Sequence, residues 1–550
     1  MPENPGGDGR TGRSHAAGRR GSRAGDRQRR AAPALAVTSY EQWRREFRWD
    51  VPDRFNIARA CCDRWADGTG RPALLREAGD GLASLSFDQL HEMSCRFANL
   101  LLAQGIRAGD RVAILLPQSW EVAVAHLAIY RMGAIAVPLF ALFGADAIAY
   151  RLADCDARAI VTNAESLPKL PDGPLVILTE GSAPGAVDFH AGMARASPDH
   201  ACLDTQADDP ALIIYTSGTT GAPKGALHAH RVLLGHLPGV EMPQDLFPQP
   251  GDRFWTPADW AWIGGLLDVL LPSLFHRVPV LALRMEKFDP ERAFHTIERH
   301  RLRNLFLPPT ALRLMRQVPG GRAGPRSIGS GGETLGAEML EWGREAFGVT
   351  INEFYGQTEC NLVVSSCGAL FPPRPGWAGR AVPGHEVAIV DGEIAVKSPD
   401  PVMFLRYWNR PDATAEKYRD GWLMTGDAGK MDGDGFIRFL GRADDVITSA
   451  GYRIGPAEVE DCLMRHPAVA AAAVVGLPDP LRTEVVAAAI VLRAGETASE
   501  DLARRLQEHV RARLAGHLYP RHVRFVAELP QTATGKIMRR VIRQDWGKLR

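Results

Sequence analysis

The chain has 550 residues, enough for two or more domains with sizeable hydrophobic cores. Its formal charge is nearly balanced, at +1, and it contains no long apolar span. We therefore expect neither a nucleic-acid partner nor a membrane-spanning helix. The eight cysteines form no paired CxxC pattern. This disfavours a zinc site or a disulfide framework and favours free thiols in a reducing, cytoplasmic compartment.

The N-terminal segment differs from the rest of the chain. Residues 1–35 are rich in Arg, Gly and Ala and offer little to bury, which predicts a disordered basic tail. The tail lacks the apolar region of a secretory signal, and Glu3, Asp8 and Asp26 argue against an organelle-targeting peptide. We expect a solvated segment or an over-extended translation start.

From about Tyr40 onwards, apolar strand patterns alternate with helical ones. Residues 121–132 predict a helix, and strands are predicted at 111–116, 134–139, 159–162, 175–178 and 211–214. Such alternation predicts an α/β fold with doubly wound parallel sheets, in a large N-terminal domain at 36–442. Ligands of such sheets bind at the carboxyl ends of strands.

The most informative motif follows the predicted strand at 211–214. Residues 215–225 read Tyr-Thr-Ser-Gly-Thr-Thr-Gly-Ala-Pro-Lys-Gly. Glycines let the backbone approach a ligand, hydroxyls and loop N–H groups donate to phosphate oxygens, and Lys224 adds a positive charge. A Walker loop needs Gly-Lys-Ser/Thr, whereas Lys224 follows Pro223 and precedes Gly225. The motif predicts a site for a polyphosphate, most simply ATP, outside the P-loop class; a glycine-rich surface turn is the alternative.

Two further stretches supply nucleotide chemistry. Residues 352–359 read Asn-Glu-Phe-Tyr-Gly-Gln-Thr-Glu: an aromatic ring can pack on adenine, Thr358 can bond an anionic oxygen, and Glu359 can hold Mg²⁺. Mg²⁺ takes only one or two protein carboxylates besides phosphates, so one glutamate suffices. Asp427 suits two ribose hydroxyls, and Arg442 offers a second ribose or phosphate contact. The alternatives are a buried-aromatic turn for 352–359 and a turn or cap carboxylate for Asp427.

A second organisation begins after residue 442. Helices are predicted at 458–464 and 500–514, and strands at 469–475 and 484–492. They indicate a compact α+β domain, which we place at 443–550. Pro456 marks the start of its first helix. Just before this domain, Asp-Gly-Asp-Gly at 432–435 lacks the third acidic position of an EF-hand loop and predicts a hairpin turn.

The last motif is Leu-Pro-Gln-Thr-Ala-Thr-Gly-Lys at 529–536, where Gly535 lets a tight loop project Lys536. Alone, this lysine would be a solvated charge. In their order along the chain, however, the motifs resemble those of the adenylate-forming, AMP-binding superfamily, from about Tyr40 to the end. The chain is most similar to medium-chain acyl-CoA synthetases and less so to acetyl-CoA synthetases, on the shared spans 451–456, 466–469 and 478–480.

The resemblance implies a fold with a large N-terminal domain of doubly wound sheets and a small, mobile C-terminal α+β domain. It also assigns roles to individual residues. The implied catalytic residues are Lys536, Thr358 and Glu359, with Glu359 as the Mg²⁺ ligand. The implied ATP-binding residues are Thr216, Ser217, Gly218, Thr219, Thr220, Gly221, Lys224, Gly332, Glu333, Thr334, Glu353, Phe354, Tyr355, Gly356, Gln357, Asp427 and Arg442.

For the second substrate, the resemblance implies that a glycine-rich stretch and two arginines bind CoA, namely Ala450, Gly451, Tyr452, Arg482 and Arg511. A solvated surface arginine is an equal interpretation of Arg511, which lies on an arginine-rich helix. Asp444 occupies the family's hinge position between the domains. The implied acyl pocket is lined by Trp262, Gly264, Gly331 and Gly356.

The implied activity is ATP-dependent formation of acyl-CoA, with AMP and pyrophosphate released through an acyl-adenylate; the cofactors and substrates are Mg²⁺, ATP, CoA and a carboxylic acid. Acetate-selective relatives carry Trp where this chain has Gly356, so we expect a gap for a longer acid. Trp262, with Trp260 and Ala261 beside it, trims that gap, and core packing is the alternative for both tryptophans. The expected acids are short- to medium-chain, branched or aromatic.

Two rival functions remain open from the sequence. A free-standing adenylation enzyme would load a carrier protein, although no carrier domain follows Lys536. A non-catalytic nucleotide or acyl-AMP sensor would lack the lysine or the magnesium ligand, and both are present. The Pro-x4-Gly-Lys pattern at 530–536 accompanies reversible lysine acetylation in bacterial relatives, which predicts an acetyltransferase and a deacetylase as partners of Lys536. A homo-oligomer is left open.

Overall fold

The computed structural model describes residues 37–216, 223–332, 335–442, 445–449, 452–480, 482–514, 518–532 and 537–549. Contacts group Val37–Arg550 into one unit, and the predicted tail at 1–35 lies outside the described residues. Among the described residues, no helix is both long enough and apolar enough to cross a membrane.

The strands of the described residues are numbered in chain order. They are β1 Pro72–Ala78, β2 Gly81–Ser86, β3 Arg111–Leu115, β4 Ile135–Pro138, β5 Ala157–Thr162, β6 Leu175–Leu178, β7 Val187–Asp188, β8 Pro210–Thr216, β9 Lys224–Ala229, β10 Phe254–Trp255, β11 Val280–Leu281, β12 Asn304–Phe306, β13 Ser327–Gly331, β14 Ile351–Gln357, β15 Cys360–Ser365, β16 Gly379–Ala381, β17 Val387–Val390, β18 Glu393–Lys397, β19 Arg406–Tyr407, β20 Tyr418–Arg419, β21 Trp422–Met431, β22 Phe436–Arg442, β23 Ile447–Ser449, β24 Tyr452–Ile454, β25 Val469–Asp479, β26 Thr483–Leu492 and β27 His522–Phe525.

The α-helices are numbered in the same way. They are α1 Tyr40–Glu46, α2 Ile57–Cys61, α3 Phe87–Ala103, α4 Trp120–Arg131, α5 Ala145–Asp154, α6 Phe189–Arg195, α7 Val232–Glu241, α8 Ile263–Gly265, α9 Leu271–Phe275, α10 Pro290–Arg299, α11 Pro309–Met315, α12 Ala337–Phe347, α13 Pro411–Ala415, α14 Pro456–Met464, α15 Glu500–Arg513 and α16 Arg539–Gln544. A π-helical turn, Leu266–Leu270, joins α8 to α9.

The first sheet has a parallel half and an antiparallel half that meet at β14. Its order is β17-β18-β21-β22-β16-β15-β14-β13-β12-β10-β11-β1-β2, with β20 paired to β21. From β14 to β1 the strands pair in parallel, whereas from β14 to β17 every pairing is antiparallel. We did not predict this antiparallel half from the sequence. It combines pairings between chain neighbours, such as β17 with β18 and β21 with β22, with the distant pairings of β16 with β22 and β18 with β21.

The second sheet confirms the predicted parallel α/β architecture. Its order is β19-β9-β8-β4-β3-β5-β6-β7, and the pairings from β8 to β7 are parallel. The apolar runs predicted as strands coincide with β3, β4, β5, β6 and β8, and the predicted helix at 121–132 with α4. Burial explains the match, because every residue of β4 and all but the first of β3 are buried, as continuous apolar runs require.

The third sheet is formed by the C-terminal residues, in the order β24-β23-β26-β25 with β27 paired to β26. The predicted helices and strands of this region coincide with α14, β25, β26 and α15, and α14 begins at Pro456 as expected. The predicted hairpin turn at 432–435 joins β21 to β22. The division of the chain at 442/443 stays a prediction.

The strand ends position the motifs. β8 ends at Thr216, β13 at Gly331 and β14 at Gln357, so the predicted motifs lie where these strands end. β14 lies beside β13 in parallel and is followed by β15 after a link of only two residues, Thr358 and Glu359. Such strand ends are the usual place for a ligand in an open α/β sheet.

Gly379 in β16 tests how tightly the antiparallel half is packed. Its φ is +123°, and an added Cβ would lie 2.1 Å from the Ser365 carbonyl. We expect Gly379→Ala to lower the free energy of unfolding by about 2 kcal/mol or more, through strain and overpacking. Denaturant-induced unfolding measures this.

The matched control is Gly433→Ala, in the turn between β21 and β22, where an added Cβ meets nothing within 4 Å. Equal unfolding midpoints for the two variants would contradict the packing described for β16.

Candidate active site

The predicted phosphate loop closes a β-hairpin in the second sheet. β8 and β9 pair antiparallel, with Thr216 opposite Lys224. The Thr216 hydroxyl donates to the Lys224 carbonyl at 3.3 Å, and the Tyr150 hydroxyl donates to the Pro223 carbonyl at 3.0 Å. Strand pairing and these hydrogen bonds hold both ends of the loop, whose residues 217–222 lie outside the described residues.

Tyr407 connects Lys224 with the predicted magnesium ligand. The Lys224 Nζ atom lies 5.1 Å from the centre of the Tyr407 ring, and the Tyr407 hydroxyl donates a short hydrogen bond to Oε1 of Glu359. β19 carries Tyr407 beside β9, opposite Ala226. The Phe404 amide also donates to the Glu359 carbonyl at 2.9 Å. The sequence motifs missed Tyr407 because it lies 48 residues beyond Glu359.

The donor set around Glu359 fits Mg²⁺. Its carboxylate is buried, with 7% of the residue exposed, and it shares Tyr407 with the lysine of the phosphate loop. Mg²⁺ takes few protein carboxylates and completes its octahedron with phosphate oxygens and water. One carboxylate close to Lys224, the lysine predicted to bind phosphate, meets that requirement.

Asp427 is the centre of a hydrogen-bond network between β14, β21 and β22. Its Oδ2 accepts from the Tyr355 hydroxyl at 2.7 Å and from the Gln357 amide, while its Oδ1 accepts from the Arg442 guanidinium at 3.0 Å. Gln357 also donates to the Thr425 carbonyl at 2.9 Å. The structure therefore brings together four of the predicted ATP-binding residues. Tyr355 and Gln357 form one group in the chain, and Asp427 and Arg442 follow about 70 residues later. Thr425 was not predicted.

Side chains of β14 alternate between its two faces. Tyr355 lies on the face of Asp427 and Phe439, with ring centres of Tyr355 and Phe439 6.0 Å apart. Phe354 lies on the opposite face, against Gly331. A strand places successive residues on opposite faces, so two neighbours with the same predicted role face different surroundings. Phe354 packs with the residues predicted for the acyl pocket, whereas Tyr355 packs with those predicted for the nucleotide.

We call the face of β14 that carries Phe354 the acyl face. There Trp262, Phe306 and Phe354 form an aromatic wall that packs on glycine backbone. The ring centres of Trp262 and Phe306 are 5.6 Å apart, and those of Phe306 and Phe354 are 5.3 Å apart. A Cβ on Gly331 would lie 2.4 Å from the Phe354 ring, and one on Gly332 would lie 3.4 Å from Trp262. The rings thus occupy the space that these glycines leave free.

Gly264 belongs to the same cluster, since its added Cβ would lie 2.9 Å from both Trp262 and Phe306. Trp262 is half-buried, whereas Trp260 is only 1% exposed and belongs to the main hydrophobic core. Core packing is therefore the correct interpretation for Trp260. The assignment of Trp262 to the acyl pocket stays a prediction.

The gap expected beside Gly356 is filled. A Cβ on Gly356 would lie 2.6 Å from Oδ1 of Asn361 and 3.1 Å from Cα of Leu362. Asn361 in turn donates from Nδ2 to Oδ1 of Asp268 at 2.6 Å. Replacing Trp by Gly at position 356 therefore does not by itself deepen the pocket, because Asn361 occupies that space. The sequence carried no signal for this, since Asn361 and Asp268 belong to no motif.

Glu353 lies buried on the nucleotide face, with 7% of the residue exposed. The pKa of its carboxyl is raised to about 8. Burial is the main cause, a hydrogen bond from the Leu335 backbone opposes it, and the charge of Asp461 adds to it. The carboxyl therefore holds a proton at neutral pH. A protonated glutamate serves as a hydrogen-bond donor, as its predicted role beside a nucleotide allows.

The residues predicted to bind CoA are partly described. Arg482 follows β25, where its backbone N–H donates to Asp479 at 2.8 Å. Arg511 is exposed on α15, with its guanidinium 5.8 Å from the Tyr519 ring centre. Tyr452 begins β24. Their contacts with CoA stay predictions.

The other predicted site residues lie outside the described residues. They are Ser217, Gly218, Thr219, Thr220, Gly221, Glu333, Thr334, Asp444, Ala450, Gly451 and Lys536. Their roles also stay predictions.

A cluster with metal-ligand chemistry lies elsewhere, where Cys62, Asp63 and His91 place one ligand atom each within 4.8 Å of the others. The guanidinium of Arg131 donates to both carboxylate oxygens of Asp63. The pKa of His91 is raised to about 12, and its hydrogen bond to Asp63 is the largest cause. A doubly protonated imidazole has no lone pair for a metal ion, so we interpret the cluster as a structural ion pair.

Comparison with known proteins agrees with this geometry. The AMP-binding enzyme family model matches residues 62–408, and that of the AMP-binding enzyme C-terminal domain matches residues 458–536. The mitochondrial acyl-coenzyme A synthetase ACSM2 of Rattus norvegicus is 36% identical over 90% of this chain and 93% of its own length. The acetyl-coenzyme A synthetase of Bacillus subtilis is 33% identical over 94% of this chain and 97% of its own length.

Two solved structures are also similar. The Brucella canis acyl-CoA synthetase has a TM-score of 0.72 and 36% identity, over 92% of this chain and 99% of its own. ATP-bound MatB from Rhodopseudomonas palustris has a TM-score of 0.80 and 28% identity, over 90% of this chain and 99% of its own. The chain belongs to the AMP-binding enzyme family.

The raised pKa of Glu353 gives a pH-dependent contribution to stability. The ordinary pKa of 4.5 applies to the unfolded chain, and the folded value is about 8. The favourable contribution of the protonated carboxyl is thus fully present below pH 4.5 and is lost as the pH rises through 8. Glu353→Gln keeps the hydrogen-bonding shape without titrating. We expect its melting temperature, relative to the parent protein, to rise between pH 5 and pH 8, as measured by thermal denaturation.

Glu341→Gln, at an exposed position of α12, is the control. It should follow the parent protein at every pH. A constant difference between Glu353→Gln and the parent across this range would show that Glu353 is ionised in the folded protein.

Proposed function

We propose that this protein is an AMP-forming acyl-CoA synthetase. It converts a carboxylic acid, ATP and CoA into acyl-CoA, AMP and pyrophosphate through an acyl-adenylate. One observation carries the proposal: Tyr407 contacts both Lys224 and Glu359. Glu359 lies only a few residues after Tyr355, which belongs to the Asp427 network. The chain is also a member of the AMP-binding enzyme family. Relatives over nearly the whole chain are named acyl-coenzyme A and acetyl-coenzyme A synthetases.

In the first half-reaction, an oxygen of the substrate carboxylate attacks the α-phosphorus of ATP, and the bond between the α- and β-phosphates breaks to release pyrophosphate. Two anions must approach, so the site has to supply positive charge. We assign Lys536 and Thr358 to the carboxylate and α-phosphate, and Lys224 with the loop at 216–224 to the leaving phosphates. Bound at Glu359, Mg²⁺ would neutralise phosphate charge.

We assign the ribose hydroxyls to Asp427 and Arg442, and the adenine ring to Tyr355. Both carboxylate oxygens of Asp427 accept hydrogen bonds from protein side chains. Two ribose hydroxyls would therefore join or replace donors that hold the carboxylate in place. This arrangement supports a preorganised ribose site, because the acceptor does not need to be ordered on binding.

In the second half-reaction, the CoA thiol attacks the acyl carbonyl and AMP leaves. Lys536 is not needed for this step, so the C-terminal domain is free to rotate about Asp444. We assign the CoA contacts to Ala450, Gly451, Tyr452, Arg482 and Arg511, on the resemblance of these positions to the family pattern. The basic character of both arginines suits the phosphates of CoA.

The acid proposed as substrate is short- to medium-chain, branched or aromatic. The aromatic wall of Trp262, Phe306 and Phe354 supports a compact apolar pocket, since these rings pack directly on glycine backbone. Filling of the space beside Gly356 by Asn361 argues against long linear chains.

A screen of acids of graded length and branching tests the function. We expect pyrophosphate release that depends on the acid, and acyl-CoA together with AMP only when CoA is present. Mass spectrometry of the product identifies the thioester. If adenylation occurs without any CoA thioester, the enzyme loads a carrier protein instead; if no acid supports pyrophosphate release, a nucleotide or acyl-AMP sensor is favoured.

Replacing Lys536 separates the two half-reactions. We expect Lys536→Ala to slow adenylation by about 10²-fold or more, because one preorganised positive charge is lost from the transition state. The same variant should still form acyl-CoA from supplied acyl-AMP. Rapid-quench measurement of each half-reaction checks both statements.

Lys548→Ala, at an exposed lysine near the same terminus, is the matched control and should leave both half-reactions unchanged. Adenylation that survives in Lys536→Ala would remove this lysine from the mechanism.

We also propose that Lys536 is reversibly acetylated, on the strength of the Pro-x4-Gly-Lys pattern at 530–536. Treatment with an acetyltransferase should then reproduce the Lys536→Ala kinetics and a deacetylase should reverse them. A homo-oligomer and a cytoplasmic location are retained as proposals, the second supported by eight free cysteines.

A further inference from the structure

The acyl face of β14 ends at a pair of polar side chains. Asn361 lies beside Gly356, with its Oδ1 atom 2.6 Å from the position that a Cβ of this glycine would take. Its Nδ2 atom donates to Oδ1 of Asp268 at 2.6 Å. Asn361 is 6% exposed and Asp268 4% exposed, so both belong to the interior.

This pair is costly for an apolar pocket. The π-helical turn that carries Asp268 reads Leu-Leu-Asp-Val-Leu, and every residue of it is buried. Burial raises the pKa of Asp268 well above its ordinary value, because the interior disfavours the charged form of the carboxyl. A buried polar group without full hydrogen bonding destabilises the fold. A leucine at either position would occupy a similar volume without burying a polar group.

The pair lies further along the wall that carries the aromatic rings. Gly264 contacts Trp262 and Phe306, and Asp268 follows it by four residues in the continuous helical run from α8 to α9. Residues about one helical turn apart lie on the same side of a helix. Asp268 is thus about one turn beyond the glycine of the aromatic wall, and Asn361 spans from it to Gly356.

The orientation of the Asn361 amide matters for chemistry. Its NH₂ group is directed to Asp268, so its carbonyl oxygen faces Gly356. Among the described residues, no hydrogen-bond donor is paired with that oxygen. Gly356, which is half-buried, is one of the residues predicted to line the acyl pocket. An acceptor without a partner at such a place is suited to a donor group that arrives with the substrate.

We propose that Asn361, positioned by Asp268, accepts a hydrogen bond from a hydroxyl or amino group on the carbon skeleton of the substrate acid. The substrate class is then hydroxy- or amino-substituted short-chain or aromatic carboxylic acids. This inference rests on the proposed acyl-CoA synthetase function and specifies the acid at the same site. Asn361 is the residue that contacts the substrate, and Asp268 is a positioning residue.

Pairs of acids with the same skeleton test the proposal. We would measure kcat/KM by pyrophosphate release, with CoA present, for 3-hydroxybutanoate against butanoate and for the three hydroxybenzoates and three aminobenzoates against benzoate. We expect at least one donor-bearing acid to exceed its plain analogue by about tenfold or more, because a buried acceptor left unpaired penalises the plain acid.

Variants connect that preference to the residues. Asn361→Leu has nearly the same size but no acceptor, and should bring the ratio of the two kcat/KM values to about one or below. Asp268→Asn should lower the ratio less, since it keeps a polar partner for Asn361. Ser273→Ala, another buried polar position on α9, is the matched control and should keep the parent ratio.

Each result is decisive. If every pair of acids gives a ratio near one or below in the parent protein while thioester forms, the inference is wrong and the proposed function stands. A preference that persists in Asn361→Leu also overturns it. If that variant does not fold, Asn361→Ala, which is smaller and also removes the acceptor, replaces it with the same expected result. Absence of thioester from all acids would instead contradict the proposed function.

Discussion

The alternation of side chains along β14 is the constraint on which the arrangement of the site depends. Tyr355 faces Asp427 and its hydrogen-bond network, whereas Phe354 and Gly356 face the aromatic wall and Asn361. Within a few residues, β14 therefore presents a polar face, predicted to bind the nucleotide, and an opposite apolar face. Because β13 fixes one side of β14 and β15 the other, neither face can rotate independently. In the proposed function, the substrate carboxylate and the α-phosphate meet at the end of this strand.

The two faces are maintained by different physical means. On the nucleotide face, buried acceptors are matched with donors: Asp427 accepts from three side chains, and Glu359 accepts from Tyr407. Charge-assisted hydrogen bonds of this kind fix geometry as well as energy. On the acyl face, close packing of aromatic rings against glycine backbone fixes the geometry instead. Gly331 is required there because any side chain would overlap Phe354.

Long-range pairing supplies several groups at once. Tyr407 reaches Glu359 because β19 pairs with β9 at one edge of the second sheet, and Arg442 reaches Asp427 because β21 and β22 pair in register. The C-terminal residues add a separate sheet with its own core. A site assembled from several sheets suits a reaction in two steps, since parts of it can change place while the nucleotide face stays intact.

The amino-acid sequence determined the chemistry and much of the local structure. Apolar runs such as 135–138 can only be stable when buried, so they predicted β4 and its neighbours correctly. The motif at 352–359 supplied Tyr355 and Gln357, which the structure brings together with Asp427. Only the tertiary structure decided which face each of those residues occupies and what lies opposite. Tyr407, Asn361 and Asp268 contact the site across 48 or 93 residues of chain, and such contacts depend on sheet order and helix packing, which no local pattern records.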